Sequence, residues 1–248
     1  MAEKKLKGTM HLHTNLSHDG TLPFEKIVPF LKNKGYDFLL FTEHSYDLDI
    51  KKTEIMVQAC RELSDDNFLV VPGVEYRCHD KIDILGYGAI EPINSDNPLE
   101  VIAHIHKQGG VSVWAHPTIH DYPYENSWLG KLDGFEIWNV SNEGKFLPSP
   151  KTLIMYQRLK IENPNLLAFC GHDLHRLVSY CDMSSVISVE KLTREEILAK
   201  LKSGEFETRS PHFSCNSQGD IALMDKMKIS VGRPVLNILR GLRDLTRK

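Results

Sequence analysis

Two histidines near the start of the chain, spaced two residues apart, are candidate ligands for a metal ion. His11 and His13 lie at the end of residues 7–14, a segment predicted to form a β-strand. Because alternate residues of a strand point to the same face, the two imidazoles converge on one point. Asp19 follows after a short polar loop and can reach that point. Imidazole and carboxylate are ligands of Zn, Mn and Fe, so this stretch predicts a divalent-metal site.

A His-x-His pair alone is a weak signal, and a metal site needs further ligands from elsewhere in the chain. Suitable residue types follow several other predicted strands, namely His44, Glu75, His116, Asp173 and His175. In barrels of alternating strands and helices, the carboxyl ends of the strands open on one face, where active sites form. The repeated placement of these residue types at strand ends therefore predicts one shared site rather than unrelated loop residues.

The elements that must position these residues alternate between strand and helix through nearly the whole chain. The apolar run 37–42 is typical of a strand buried on both faces, and residues 52–63 have helical periodicity. Such alternation predicts an α/β fold with a parallel sheet or a barrel. No linker, low-complexity stretch or internal repeat interrupts the sequence, so we predict a single domain over residues 1–248.

The composition limits the classes of protein that the chain can represent. Of its 248 residues, 41% are hydrophobic and 25% are charged, which is enough to bury a sizeable core. A formal net charge of −3 gives no general reason to expect affinity for nucleic acid or membranes. The sequence shows no secretory signal and no apolar run of membrane-spanning length. Five scattered cysteines without a Cys-x-x-Cys pair favour reduced thiols in the cytoplasm.

The last part of the chain, residues 220–248, has the character of a helical tail. Gly232 and Pro234 are predicted to break it, and basic residues accumulate near its end. Contact with RNA and contact with a partner subunit are both open interpretations, but a solvated helix face is the default for such a charge run. The sequence does not indicate an oligomeric state.

Five separated motifs resemble those of the PHP (polymerase and histidinol phosphatase) family in order and spacing. They are H-L-H-T-N-L-S-H-D-G from position 11, T-E-H at 42–44, P-G-V-E at 72–75, A-H-P at 115–117 and G-H-D-L-H at 171–175. The resemblance covers roughly residues 8–176. It implies a distorted (β/α)7 barrel, a centre of two or three divalent metal ions (Zn, Mn or Fe), and the hydrolysis of phosphate esters.

The resemblance also implies a role for each matching residue. His11 and His13 would bind one metal ion, and Glu75 would bridge it to a second. Asp173 would complete this first pair of metal sites, and His175 would bind at its far side.

The resemblance further implies a third metal, held by Asp19 and His44, while His116 would serve the second. The chain departs from the family where His often precedes Ile-Leu-Gly-Tyr, because Asp83 stands there instead. Asp83 can also be a ligand, and its anionic oxygen would shift the metal preference towards Mn or Fe. In the last motif His172 replaces the usual serine, and it is predicted either to position a ligand or to fill space.

Four further residues are candidates for the catalytic steps. A cation is expected to hold the nonbridging phosphoryl oxygens, and Arg77 and Arg209 are the candidates. A general acid is expected to protonate the leaving alkoxide, and His18 and His212 are the candidates. Metal ions would supply the nucleophile by activating water, so no Ser-His-Asp triad is required. The alternative for each of the four residues is an ordinary solvated side chain.

We therefore predict a metal-dependent phosphoesterase that acts on a small phosphorylated metabolite or nucleotide. Two alternatives stay open, an amidohydrolase-like metal hydrolase of C–N or C–O bonds and a non-catalytic PHP module that binds metal. A lysine bridging two metals would favour the first alternative, and no lysine follows a matching strand.

Glu136 and Asn139 resemble a recurrent Glu-x-x-Asn of the family and are predicted to position ligands. Tyr122, Tyr124 and Trp128 either line a substrate pocket or anchor the loop that contains them.

Overall fold

The fold is mixed α/β, as predicted, and contains two six-stranded sheets. It is seen in a computed structural model that describes residues 3–120 and 126–245. Tyr122 and Tyr124 lie outside the described residues. Trp128 is buried and packs edge-on against Trp114, with 4.9 Å between ring centroids, so it belongs to the core rather than to a substrate pocket.

The strands occupy most of the segments in which the sequence predicts them. In chain order they are β1 (Lys4–Leu12), β2 (Phe38–Phe41), β3 (Glu43–His44), β4 (Leu69–Val71), β5 (Gly73–Arg77), β6 (Asp83–Tyr87), β7 (Val111–Trp114), β8 (Gly134–Asn139), β9 (Leu167–Gly171), β10 (Ser184–Val189), β11 (Phe206–Arg209) and β12 (Ser214–Asn216). One sheet has the order β12-β11-β10-β1-β2-β4 and the other has the order β3-β5-β6-β7-β8-β9.

Helices lie between these strands along the chain, and one follows the last strand. They are α1 (Phe24–Asn33), α2 (Ile50–Glu62), α3 (Pro98–Lys107), α4 (Asn126–Leu129), α5 (Val140–Glu143), α6 (Pro150–Glu162), α7 (Arg194–Ser203) and α8 (Leu223–Leu245). Among the described residues, no helix has both the length and the apolar character needed to cross a membrane.

Two predictions about these elements are wrong. The sheets are not all parallel, because β6 runs antiparallel to both β5 and β7, and β10 runs antiparallel to β1 and β11. A short loop joins β5 to β6 and allows this pair to form a hairpin, whereas a parallel pair needs a long crossover. Helix α8 also continues through Gly232 and Pro234. Its neighbour Arg233 is buried and donates a 2.6 Å hydrogen bond to the carbonyl of Leu147, which anchors the helix across the predicted break.

The two sheets meet along two seams. On one side, β2 and β3 are separated by Thr42 alone and β4 and β5 by Pro72 alone, so two chain segments pass directly from one sheet to the other. On the other side, β1 lies beside the segment that follows β9. There the amide of His172 donates to the carbonyl of Met10 and the amide of His13 donates to the carbonyl of Leu174, both at 3.1 Å. The carboxyl ends of β1 and β9 are thereby held together.

His172 strengthens the second seam rather than joining the cluster of predicted ligands. Its Nε2–H donates to the carbonyl of Cys181 (2.8 Å), so its Nδ1 accepts from the hydroxyl of Thr9 on β1 (2.6 Å). Burial lowers the pKa of His172 to about 4, which keeps the ring neutral and suited to this pair of bonds. His172, which replaces the usual serine in the last motif, therefore connects β1 to the segment that follows β9.

A shared apolar core lies between the two sheets. Met10 and Phe38 of one sheet pack in the same buried cluster as Val113 and Phe169 of the other. A methyl group at Gly8 would lie 2.0 Å from the ring of Phe38, so the absence of a side chain there makes room for the aromatic ring. Burial on both faces explains why β2 reads as a continuous apolar run.

Candidate metal centre

Seven of the predicted ligands converge at the carboxyl-terminal ends of the strands. They form three groups whose ligand atoms lie within 4.8 Å of one another: His13, His44 and His175; His11, His13 and Asp173; and His11, Glu75 and His116. His11 and His13 each belong to two groups, so the three groups are neighbours in one cluster. The structure therefore brings together seven of the residues that the strand-end argument selected.

Glu75 lies between the imidazoles of this cluster. Its Oε2 is 3.4 Å from Nε2 of His11, 3.2 Å from Nε2 of His13 and 3.2 Å from Nδ1 of His44. Its Oε1 is 2.9 Å from Nε2 of His116. One carboxylate with its two oxygens directed at different imidazoles has the arrangement expected of a ligand shared by two metal ions.

Asp173 is the second carboxylate of the cluster. Its Oδ1 lies 3.6 Å from Nε2 of both His11 and His13, and 3.2 Å from Nδ1 of His175. The side-chain amide of Asn142 on α5 donates to its other oxygen at 3.1 Å. This amide fixes the orientation of the carboxylate, a role for Asn142 that the sequence did not predict.

Asp19 lies at the open edge of the cluster. Its Oδ1 is 3.2 Å from Nε2 of His44 and 3.1 Å from Nε2 of His175, and its side chain is 45% exposed. The two imidazole nitrogens are themselves 3.4 Å apart. Three ligand atoms that face one another in this way suit a cation placed among them.

Asp83 lies next to the cluster but has another partner. Its Oδ2 is 3.7 Å from Nε2 of His116, while Nε–H of Arg77 donates to its Oδ1. Burial and the nearby charge of Glu75 raise the pKa of Asp83 to about 6, and His116 and Arg77 oppose that rise. Asp83 is thus within reach of a metal ion at His116 and also holds Arg77 at the rim.

Carboxylates and imidazoles in the cluster shift one another's pKa values. Burial acts to raise the pKa of Glu75, but the imidazoles of His11, His116 and His13 hold it well below its usual range. Burial acts to lower the pKa of His11, but nearby carboxylates, first that of Glu136, raise it well above its usual value. Glu75 likewise raises the pKa of His116 to about 9, against burial, whereas burial lowers that of His13 to about 4. Glu75 is therefore ionised across the neutral pH range.

Three of the predicted ligands lie on unusual backbone. His11, His116 and Asp173 have φ angles of 61°, 31° and 52°. Non-glycine residues rarely adopt positive φ, and such backbone strain clusters at functional sites. At His11 the pairing of β1 with β2 also shifts register between Met10 and Leu12. This bulge therefore falls at a predicted ligand, as bulges beside functional sites often do.

Glu136 holds two of the ligands in place. Its Oε1 accepts a 2.7 Å hydrogen bond from Nδ1 of His11, which leaves Nε2 directed at Glu75. Its Oε2 accepts from the backbone amide of His116 (2.8 Å) and from the side-chain amide of Asn139 (3.0 Å). A carboxylate behind a ligating histidine fixes its tautomer and orientation.

Glu43 is a buried carboxylate that the sequence reasoning missed. Its Oε1 accepts from the amide of Thr14 (2.8 Å), and its Oε2 accepts from the hydroxyl and the amide of Ser17 (2.6 and 3.1 Å). It therefore secures the loop that leads from His13 to Asp19. The only signal in the sequence was its position inside the Thr-Glu-His motif, beside a predicted ligand.

The residues present fit a divalent metal ion. Nε2 of His13 is buried and has no hydrogen-bond partner among the described residues, although it lies 3.2 Å from Oε2 of Glu75. That contact lacks hydrogen-bond geometry, so this buried nitrogen points into the cluster without a hydrogen bond. Several imidazoles with carboxylates between them form the donor set of Zn, Mn and Fe sites.

Two of the four catalytic candidates lie at the mouth of this cluster. Nδ1 of His18 lies 2.8 Å from Asp47, and the His18 ring centroid is 5.9 Å from that of His44. The guanidinium of Arg77 lies beside Asp83 and 5.3 Å from the ring centroid of Tyr46.

The structure does not bring the other two candidates into this cluster. In the described part of the chain, Nη2 of Arg209 lies 2.6 Å from exposed Glu207, and the ring of His212 lies 5.5 Å from that of Phe146. Arg209 is on β11, which is separated from β1 by β10. The sequence positions of Arg209 and His212 could not show that these side chains lie away from the cluster.

Comparisons with known proteins identify similar folds. No family model and no curated protein matches the chain. A two-domain protein from Bacteroides vulgatus ATCC 8482, containing a predicted PHP-like metal-dependent phosphoesterase, is 17% identical with a TM-score of 0.60, over 84% of this chain and 65% of the other. PsfC from Pseudomonas syringae PB-5123 is 16% identical with a TM-score of 0.59, over 95% and 100% of the two chains.

A third similar structure is the lesion-specific endonuclease PfuEndoQ from Pyrococcus furiosus, which is 14% identical with a TM-score of 0.56. The match covers 80% of this chain and 56% of that one. This chain thus spans 65% of the length of the Bacteroides protein and little more than half of the endonuclease. The resemblance found in the sequence motifs is confirmed at the level of the fold: the protein shares the fold of the PHP-like metal-dependent phosphoesterases.

Proposed function

We propose that the protein is a metal-dependent phosphoesterase that hydrolyses a small phosphorylated metabolite or nucleotide with metal-activated water. The observation that carries the proposal is the set of three adjoining ligand groups around Glu75. Adjacent cation sites of this kind suit phosphoryl chemistry because two ions can neutralise the phosphoryl oxygens and lower the pKa of a water molecule. Hydrolysis breaks the P–O bond to the leaving group, forms a P–O bond to the water oxygen, and transfers a water proton to the departing alkoxide.

The ligand roles follow the three groups. His11, His13 and Asp173 would hold one ion, and His116 would hold a second that shares Glu75 with the first. His44, His175 and Asp19 would hold a third ion at the open edge. We propose Mn or Fe rather than Zn for the ion at His116, because Asp83 can add a hard anionic oxygen there.

Arg77 is the side chain that we propose to bind the phosphoryl group. Its Nε–H is bound to Asp83, and a guanidinium carries four further N–H donors that match the geometry of a phosphate. Its side chain is 42% exposed at the rim, so these donors can reach an entering substrate. His18 lies across the mouth, held by Asp47, and is our candidate for contact with the leaving oxygen.

We also propose that the two sheets together form a distorted seven-stranded barrel within a single domain. The direct passage of β2 into β3 and β4 into β5, the hydrogen bonds between β1 and the segment after β9, and the shared apolar core support this arrangement. The five cysteine thiols are free, four of them buried, which supports a reducing location such as the cytoplasm.

The amidohydrolase-like alternative is less well supported. That alternative expects a lysine between two metal ions, whereas Glu75 occupies the position between the imidazoles here. An assay with amide and ester substrates, run beside the phosphate esters, separates the two functions. Hydrolysis of an amide with no phosphate release would contradict our proposal.

The experiment that tests the proposal is phosphate release from a panel of phosphomonoesters, nucleotides and phosphodiesters. Chelator-treated protein is assayed alone and after addition of Mn, Zn or Fe(II), together with His13→Ala. We expect metal to restore turnover in the unmodified protein and not in His13→Ala. The matched control is His79→Ala, since His79 is half exposed beside Asp80 and outside the ligand groups. Metal binding without turnover of any phosphate ester would contradict the proposal.

A further inference from the structure

A cavity of 510 Å³ lies directly beside the candidate metal centre. On β5, Glu75 points to the imidazoles, and the alternate residues Val74 and Tyr76 line the cavity. The cavity therefore occupies the face of β5 opposite to the metal ligands. Thr53 of α2 and loop residues after β6 line its other sides.

Two side chains form the rim between the cavity and the metal centre. Tyr46 lines the cavity and also stacks on His44, with 5.0 Å between ring centroids and 12° between planes. Arg77 lines the cavity and is bound to Asp83, which lies 3.7 Å from His116. The residue Tyr46 is 50% exposed and the Arg77 side chain is 42% exposed, so an entering ligand can contact both of them. A ligand held at the metal centre can extend across this rim into the cavity.

The lining of the cavity defines the chemistry of its occupant. Leu48 and Ile93 offer apolar surface, while the amide of Asn94 and the hydroxyl of Ser95 offer hydrogen bonds. Beyond the rim, the charged residue of this described lining is Asp96, an anion. Asp96 disfavours a second phosphate at this position by charge repulsion, whereas a neutral group with ring surface and hydroxyls matches the other residues.

We propose that this cavity binds the leaving group of the substrate, an uncharged group of nucleoside size, while its single phosphate lies at the metal centre. This inference rests on the proposed phosphoesterase function. The cavity volume is in the range of small-molecule sites, and a half-exposed aromatic ring at the rim suits stacking with a base. The preferred substrate class is therefore the nucleoside monophosphates, ahead of small alkyl phosphates and nucleoside polyphosphates.

The test fills the cavity without touching the metal ligands. Ile93→Trp is compared with Ile154→Trp, which makes the same change at a half-exposed position on α6. The readout is the ratio of kcat/KM for adenosine 5′-monophosphate to kcat/KM for methyl phosphate. We expect Ile93→Trp to lower this ratio at least tenfold and Ile154→Trp to leave it unchanged. An equal ratio in Ile93→Trp and the unmodified protein would overturn the inference.

Asp96→Lys tests the charge argument separately. We expect it to raise kcat/KM for adenosine 5′-diphosphate relative to the monophosphate by several-fold, because the repulsion is replaced by attraction. No change in this ratio would overturn the single-phosphate claim.

Calorimetric titration of adenosine itself distinguishes the inference from the proposed function, because it needs neither a phosphate nor turnover. Binding to the unmodified protein and to Ile154→Trp, but not to Ile93→Trp, supports the cavity assignment even if no ester is hydrolysed. Phosphate release together with no adenosine binding to the unmodified protein would overturn the cavity assignment and leave the proposed function in place.

Discussion

Two buried carboxyl groups, Glu75 in the metal centre and Glu143 at the end of α5, differ in the direction of their pKa shifts. Burial acts to raise the pKa of both. At Glu75 the surrounding imidazoles reverse the effect and hold the pKa well below its usual range. At Glu143 hydrogen bonds from the Thr152 hydroxyl and the Ser149 amide, together with the charge of Arg233, oppose burial only in part, so the pKa rises to about 7.

The comparison shows what keeps a buried carboxyl group ionised. A buried carboxyl group keeps its proton unless nearby positive charge and hydrogen bonds outweigh the loss of water around it. The metal centre keeps its carboxylates ionised because each of them faces several imidazoles, and because Glu136 supports one imidazole from behind. Glu143 is buried to a similar degree, but there burial outweighs the hydrogen bonds and the charge of Arg233 that oppose it.

The largest effect is expected from Glu75→Gln, which keeps the shape of the side chain and removes its charge. We expect phosphate release to fall by roughly 10³-fold, since about 4 kcal/mol of charge stabilisation is lost at the shared ligand. Metal content measured by mass spectrometry should fall in parallel. Retention of full activity and metal content would show that Glu75 is not the shared ligand.

Glu143→Gln tests the other side of the comparison through stability. An unfolded carboxyl group titrates near 4.5, whereas folded Glu143 keeps its proton up to about 7. At this one group the folded state therefore binds more protons between these values. The contribution of Glu143 to stability is complete below pH 4.5 and falls as pH rises towards 7, by up to about 3 kcal/mol. We expect Glu143→Gln to remove this loss.

Urea unfolding of chelator-treated protein at pH 5 and pH 7.5 measures the effect of Glu143→Gln. The matched control is Glu162→Gln, at an exposed position at the end of α6, which should unfold with the same pH dependence as the unmodified protein. If Glu143→Gln and the control behave alike, the surroundings of Glu143 do not raise its pKa.

Glu136→Gln sharpens the comparison within the centre itself. The amide retains the shape but not the charge that supports His11 through the 2.7 Å hydrogen bond. Loss of such supporting carboxylates costs roughly 10–100-fold in metal affinity or activity. Metal titration of the variant measures the loss, and Glu207→Gln on β11, where the side chain is partly exposed, serves as the control. Equal metal affinities would contradict the role of Glu136.

The smallest effect is expected on KM, and it distinguishes Arg77 at the rim from Arg209 on β11. Arg77→Ala should raise KM for a phosphomonoester about tenfold, because one charge-assisted hydrogen bond is lost. Arg209→Ala should leave KM within twofold, since Arg209 pairs with exposed Glu207 away from the ligand groups. Steady-state kinetics of the two variants decide the point, and a larger effect from Arg209→Ala would reverse the assignment.

Much of the candidate site could be read from the sequence because metal ligands are chemically distinctive. His11, His13 and Glu75 are residue types that ordinary strand ends rarely share, and their motifs stand in a recognisable order. The residues that position these ligands have no distinctive type or motif in the sequence. Glu43 and Asn142 are ordinary polar residues until folding places them against the loop after β1 and against Asp173.

Other features depended on partners distant in the chain. Strand β6 reads like its neighbours in apolar content, but the short connection to β5 makes the pair antiparallel. Helix α8 survives its predicted break with Arg233 anchored on Leu147, 86 positions earlier. Local propensity contains no information about such contacts.

The sequence by itself determined the alternation of elements, the apolar strands and the types of metal ligand, because each is a local pattern of side-chain chemistry. Only the tertiary structure decided which ligands share a group, that Arg77 rather than Arg209 lies at the rim, and that a cavity opens beside β5. The physical reason is that distances and electric fields arise between residues far apart in the chain, and only the folded backbone fixes them.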